Sequence, residues 1–391
     1  MNRDPAATPH SRALRDLAVL FLKLGTTAFG GPAAHVAMME DEVVQRRQWL
    51  SRARFLDLLG ATNVIPGPNS TEMAIHVGYL RAGWSGLVVA GICFILPAAL
   101  LVGGIAAAYV RFGTLPQVAG ALYGVKPVVI AIVAQALWRL AGTAIKSTEL
   151  ALVGAIAIVL AALGINELLV LAAAGLAVAA GHLVRSRPSK AATLLSLTTW
   201  NPAGLLPNAA VTAAAATPFG LWPLFWFFAK VGAVLFGSGY VLLAFLRADL
   251  VEHWHWLTEA QLLDAVAVGQ VTPGPVFTTA TFVGYILGGP LGGLIATVGI
   301  FLPAFFFVAA SGPLVPRLRR SLTAGAVLDG INVGALALMA VVTWQLGRAA
   351  IVDLSTAAVA VVSMALLARF RLNSAWLVLA GAATGMLVTA R

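Results

Sequence analysis

Charged residues are scarce in this chain: 25 Lys and Arg with 15 Asp and Glu make up 10% of its 391 residues, where a soluble domain carries about 25%. A soluble protein with so little charge could not cover its own surface, so a water-exposed globule is excluded. Cysteine is scarcer still. Cys93 stands alone, which excludes an internal disulfide and any metal site built from several thiolates. It sits in an apolar run and reads as a small packing residue. The chain has no HExxH zinc motif, no GxSxG nucleophile elbow and no cysteine beside a histidine. An intramembrane enzyme therefore has no support, and neither a metal nor a cofactor is expected. No signal peptide is expected either, because MNRDPAATPHSRALRD is polar and lacks a short apolar core.

Apolar sequence fills the space that charge leaves. Hydrophobic residues make up 60% of the chain, and mean hydropathy is +0.91. Residues 85–109 carry no charge, and residues 168–181 carry no polar side chain. A membrane span needs about 20 mainly apolar residues, and many windows approach or exceed that. The net charge of +10 would suggest nucleic acid in a soluble protein. In a membrane protein it reads as basic loops on the cytoplasmic face, so the lipid bilayer, not nucleic acid, is the expected partner.

The chain is a duplicated unit. FLKLGTTAFGGP in the first half answers FAKVGAVLFGSG in the second, with Lys23 on Lys230, Phe29 on Phe236 and Gly30 on Gly237, all at an offset of 207. The same offset aligns Trp49 with Trp256, Asp57 with Asp264, and Pro66–Gly67–Pro68 with Pro273–Gly274–Pro275. From Val77 and Val283 onward the offset is 206, pairing Pro97 with Pro303, Gly124 with Gly330 and Trp138 with Trp344. The expected organisation is a first membrane repeat at 1–183, a linker at 184–221 and a second repeat at 222–391.

Periodicity and breakers place helices near 14–38, 84–109, 117–140, 150–163 and 167–183, with a broken segment at 54–80. The second half gives 222–246, 290–311, 323–346, 354–368 and 374–388, with a broken segment at 259–288. Proline has no N–H and clashes with the preceding turn, and a glycine between two prolines removes what helical preference is left. Each PGP therefore predicts two half-helices meeting in a hairpin, 54–64 and 69–80 in the first half. Irregular backbone at membrane depth is tolerated only where protein buries it or a wet cavity faces it. A merely kinked helix is the alternative, weakened because the break recurs.

Basic clusters at Arg46, Arg47, Arg52 and Arg54, at Arg185, Arg187 and Lys190, and at Arg317, Arg319 and Arg320 can share the cytoplasmic side if each half crosses an odd number of times. The expected fold is thus an all-α polytopic membrane protein of two inverted-topology repeats, each with about five crossings plus a PGP-broken hairpin. The N-terminus fits poorly, since it falls outside although Arg3, Arg12 and Arg15 outnumber Asp4 and Asp16.

In inverted-repeat transporters substrates bind near the midplane, where broken helices meet. A helix N-terminus there carries about half a positive charge and free N–H groups. Asn69, Ser70 and Thr71 follow the first PGP, and Thr278 and Thr279 follow the second. These are candidate anion ligands, with simple helix capping the alternative for Asn69 and Ser70. Lys23 and Lys230 each lie in an apolar helix two turns before a glycine motif, where a charge is costly and usually functional unless it snorkels to a membrane surface. Two lysines and two helix ends sum to roughly +3, which suits a dianion. Gly30, Gly31 and Gly237 would let backbone approach a ligand closely, or else let helices pack closely. Glu72 and His76 lie one turn apart on the first broken segment and are candidates for proton coupling or for a structural hydrogen bond. Asp57 and Asp264 are expected to hold lysines or cap loops, and Lys126 has Asn332 as its counterpart.

Three long blocks carry a resemblance. FGGPAAHVAMMEDEVVQRRQWLS, LLGATNVIPGPNSTEMAIHVGYLRAGWSGLVVAGICFILPAALLV and VGQVTPGPVFTTATFVGYILGGPLGGLIATVGIFLPAFFFV resemble the signature blocks of the chromate ion transporter family, long-chain type. The resemblance implies efflux of the chromate dianion from the bacterial cytoplasm across the inner membrane, conferring chromate resistance; the expected mechanism is alternating access, with the dianion held between the two PGP hairpins. Sulfate has the same charge and nearly the same shape, so a general sulfate or oxyanion carrier with proton coupling is the alternative. The second half's FGSG departs from FGGP, so the two half-sites need not be equivalent. A homo-oligomer is compatible with all of this.

Overall fold

The computed structural model describes residues 10–29, 31–113, 115–186, 218–235, 241–370 and 374–390. Most of the expected linker lies outside these residues. The described residues of the first half form α1 (His10–Thr27), α2 (Gly31–Glu40), α3 (Arg52–Thr62), α4 (Asn69–Phe112), α5 (Pro116–Ala144), α6 (Thr148–Ala162) and α7 (Glu167–Ser186). The second half repeats the set as α8 (Leu221–Val234), α9 (Leu242–Phe245), α10 (Glu259–Val271), α11 (Thr279–Arg320), α12 (Leu322–Ala350), α13 (Leu354–Arg369) and α14 (Ser374–Thr389). Among the described residues, five helical stretches are long and apolar enough to cross a membrane: Asn69–Phe112, Pro116–Ala144, Glu167–Arg185, Val276–Ser311 and Thr323–Ala350. The protein is a multi-pass, all-helical membrane protein among its described residues.

Small structural details repeat with the sequence. α2 continues into a π-helical turn at Asp41–Arg46, as α9 does at Leu246–His253. Each turn ends in a non-glycine residue with positive φ, Gln48 and His255, both at 52°. Helix starts are capped in parallel: Ser51 accepts from the Arg54 N–H, and Thr258 accepts from the Gln261 N–H in a capping box. One repeated contact reverses sign. Arg52 pairs with Glu40 at 3.3 Å, and at the aligned positions Arg247 pairs with Glu259 at 2.6 Å.

The helices break where PGP predicts, since α3 ends at Thr62 and α4 begins at Asn69. α4 then folds back on itself at Ala82 (φ −145°) and Gly83 (φ 62°), as α11 does at Gly288 and Gly289 (φ 63°). Only glycine takes such a positive φ without strain. The fold is so tight that a Cβ on Gly78 would overlap the carbonyl oxygen of Gly86, and one on Gly284 that of Gly292. The expected helix over 14–38 is corrected: it stops at Thr27 and restarts at Gly31, whose φ is +78°. The expected helix over 222–246 likewise ends at Val234, with α9 starting at Leu242.

The halves interlace. α1 packs on α4 and α8 packs on α11 within each half, and α4 meets α11 between them. α5, however, runs along α13 and α14 of the second half, and α12 runs along α6 and α7 of the first. Small residues allow this closeness, as membrane helices require in the absence of a hydrophobic drive between them. A Cβ on Gly124 would overlap the Gly381 carbonyl, and one on Gly330 would overlap that of Ala174.

Candidate functional site

The break in the first helix of each half meets the PGP break of the other half. The Gly274 N–H donates to the Ala28 carbonyl at 2.9 Å, and the Gly67 N–H donates to the Leu235 carbonyl at 2.6 Å. Both pairs obey the offset of 207. A carbonyl at a helix C-terminus has no partner within its own helix, and at membrane depth it must find one in protein. The PGP glycines supply that partner with φ of +141° at Gly67 and +87° at Gly274.

His35, on α2 and 1% exposed, reinforces the first junction. Its Nε2 lies 3.0 Å from the Ala28 carbonyl oxygen and its Nδ1 lies 3.3 Å from Ser70 Oγ. A carbonyl only accepts, so Nε2 carries the proton; in the neutral ring Nδ1 then accepts from the Ser70 hydroxyl. Beside this junction is a cavity of about 150 Å³ whose lining includes Gly31, His35, Gln135, Arg139, Gln270 and Thr272. Gly274 also borders it, and no carboxylate lines it among the described residues. Arg139 makes no ion pair among the described residues. Gln135 donates one N–H to the Leu367 carbonyl at 2.8 Å and keeps a second donor.

The other sequence candidates are distributed differently. Lys23 pairs with Glu42 at 2.7 Å, and Lys230 pairs with Asp249 at 2.5 Å, a duplicated contact at the offset of 207. Neither lysine lines the cavity, and carboxylates offset the two lysine charges in the expected sum of roughly +3, leaving about +1 from the helix ends. The Lys23 hydrogen bond holds the Glu42 carboxyl below its usual range against the opposing effect of burial, with Arg47 adding to it. Thr278 and Thr279 spend their hydroxyl protons on the carbonyls of Pro275 and Val276, each at 2.8 Å. Neither threonine caps the helix, whose N-cap is Pro275 without a side-chain cap bond, and in this geometry neither has a hydroxyl proton left for a ligand, because a hydroxyl has one proton to give. Asn69 donates to Asn63 Oδ1 at 2.8 Å. Gly30 and Gly237 lie outside the described residues.

A second polar cluster sits under the first PGP. Glu72 is 0% exposed and its carboxylate lies against Gly67. Neither of its oxygens has a hydrogen-bond partner among the described residues, and the same holds for Thr71 Oγ1 and His76 Nε2. Asp264 realises one expected role: it is 2% exposed, accepts from the Tyr109 hydroxyl at 2.8 Å and lies 3.5 Å from Lys126 Nζ. Its counterpart Asp57 is exposed, so this buried pair belongs to one half only.

Replacing the lysines separates the two roles they could have. Lys23→Gln is expected to lower thermal stability, because it strips the buried Glu42 of a counter-ion, while leaving the substrate KM within about twofold. A tenfold rise in KM without loss of stability would put the lysine back at the anion.

A family model described as chromate transporter matches residues 15–179 and 222–386. A chromate transport protein of Cupriavidus metallidurans is 34% identical over 96% of this chain and 93% of its own length. A probable chromate transport protein of Synechococcus elongatus is 31% identical over 90% of this chain and 89% of its own. A chromate transport protein of Pseudomonas aeruginosa is 33% identical over 88% and 83%, respectively. No solved structure matches the chain.

Proposed function

The chain belongs to the chromate transporter family, and we propose that it exports the chromate dianion from the cytoplasm across a bacterial inner membrane by alternating access, conferring chromate resistance. The observation that carries this reading is the cavity at the junction of Gly31 and Gly274, which offers Arg139 and amide donors and has no carboxylate in its lining. A cavity of about 150 Å³ has room for a four-oxygen anion with a few waters. Arg139 supplies charge and a planar fork of donors. Gln135 and Gln270 add amide N–H groups, and Ser70 orients His35 from below.

The paired junctions supply the moving part. At each junction one backbone hydrogen bond from a PGP glycine links the two halves, and exchanging that bond for water or substrate would let the junction open and close within the interlaced packing. Inverted repeats with about five crossings each would carry the same motion to both faces. The driving force needs no second ion. One charge moving through 100 mV is worth about 2.3 kcal/mol, so export of a dianion from a negative interior gains about 4–5 kcal/mol.

A second reading, a general sulfate or oxyanion carrier coupled to protons, has one observation in its favour. Glu72 is fully buried with both oxygens unpartnered, which equips it to take up and release a proton as water reaches it. The deciding measurement is chromate flux into inverted membrane vesicles at controlled potential with sulfate as competitor. Saturable, potential-driven uptake that sulfate inhibits weakly is expected. Uptake abolished by equimolar sulfate, or driven only by a pH gradient, would favour the second reading.

A further inference from the structure

The duplication relates the anion cavity to another one. Ile132, Gln135, Ala136 and Arg139 of α5 line the first cavity. At the offset of 206 their counterparts on α12 are Leu338, Val341, Val342 and Gln345, and all four line a second cavity of about 310 Å³. The correspondence extends to the crossing half. Leu367 of α13 and Ser374, the first residue of α14, border the first cavity, while Ala161 of α6 and Glu167, the first residue of α7, border the second. Each cavity is thus built by the long helix of one half and the final helix pair of the other.

The two linings differ in sign. Where the first cavity has Arg139, the second has Gln345; where the first has the Gln135 amide, the second has Val341; where the first has Ser374, the second has Glu167. Glu252 adds another carboxylate to the second lining. Arg247 is also there, but its guanidinium is bonded to both Glu252 and Glu259. The second lining therefore keeps the shape of an anion vestibule and has lost the charge that would hold the anion.

We propose that the second cavity is the release vestibule for the same anion, opening on the opposite face from the capture vestibule at Arg139. The proposal rests on the reading of the first cavity as the chromate site. A difference in affinity between the faces cannot change the equilibrium ratio, which the potential and the gradient set. It changes the concentration at which each face saturates. A capture face with Arg139 fills at low anion concentration, and a release face with Glu167, where the other carboxylate, Glu252, is paired with Arg247, empties even when the receiving side already holds the anion.

The test uses the full chain in proteoliposomes of uniform orientation, with chromate as the probe on both sides. Uptake is measured against increasing chromate on the receiving side. Gln345→Arg is expected to strengthen inhibition by receiving-side chromate roughly tenfold, as one added charge facing a dianion should, with the uptake-side KM unchanged. Glu167→Gln is expected to move inhibition in the same direction by less, and it carries the readout if the arginine variant does not fold. Sidedness is read in a Cys93→Ser background by an impermeant thiol reagent, with cysteine placed at Arg139 or at Gln345. Labelling from opposite faces is expected. Labelling of both from one face, or receiving-side inhibition that neither variant moves while Arg139→Gln still raises the uptake-side KM, overturns the release vestibule and leaves chromate transport standing. Absence of any chromate flux by the unmodified chain removes the functional reading itself.

Discussion

Arg139→Gln is expected to lower kcat/KM for chromate by about a hundredfold, because a charge-assisted hydrogen bond contributes about 1.5–3 kcal/mol and every 1.36 kcal/mol is a factor of ten. Arg139 supplies the cationic side chain to a cavity without a carboxylate, and the other donors there are neutral amides and hydroxyls or His35. Arg139→Lys should fall between the two, since it keeps the charge and loses the planar fork. If the cavity is the proposed anion site, the effect should appear mainly as a raised KM, because Arg139 lines that cavity. Uptake by initial rate in oriented vesicles would check it. An unchanged KM in Arg139→Gln would move the anion site away from this cavity.

Gly124→Val is expected to be the most damaging single substitution on stability. A Cβ at Gly124 overlaps the Gly381 carbonyl and crowds Gly385, both backbone. Overpacking a core already costs about 1–3 kcal/mol where side chains can yield, and here the opposing atoms cannot. A loss of about 3 kcal/mol or more follows, read as a lower thermal midpoint in detergent. Gly330→Val should reproduce it at the symmetry-related contact with Ala174, whereas Gly103→Val should not, because open space surrounds a Cβ there. Equal stability of Gly124→Val and Gly103→Val would contradict the interlaced packing.

Much of the frame was legible in the sequence, for a physical reason in each case. PGP cannot continue a helix, so the break before Asn69 could be placed from composition alone. The end of the span before Trp84 coincided with a glycine that now turns the chain at positive φ. The break at Gly31 was missed because FGGP was taken as a surface for close approach, and nothing local distinguishes that from a helix end. The partners of the lysines were out of reach of the sequence for a different reason: Glu42 and Asp249 lie nineteen residues on, beyond any helical periodicity. The reading also favoured residues present in both halves. The cavity is made instead from those that differ, with Leu242 opposite His35, Val341 opposite Gln135 and Gln345 opposite Arg139. Which helix of one half lies against which helix of the other leaves no trace in hydropathy, because a lipid-facing and a helix-facing glycine look alike.

The interlaced packing also sets an order of assembly during synthesis. When α5 enters the membrane, its Gly124 face has no partner, because that partner is α14. α12, in contrast, arrives to find α6 and α7 waiting. The nascent protein therefore carries one seam closed to nothing but lipid until α14 docks, and a chain cut short before α14 keeps that glycine seam open.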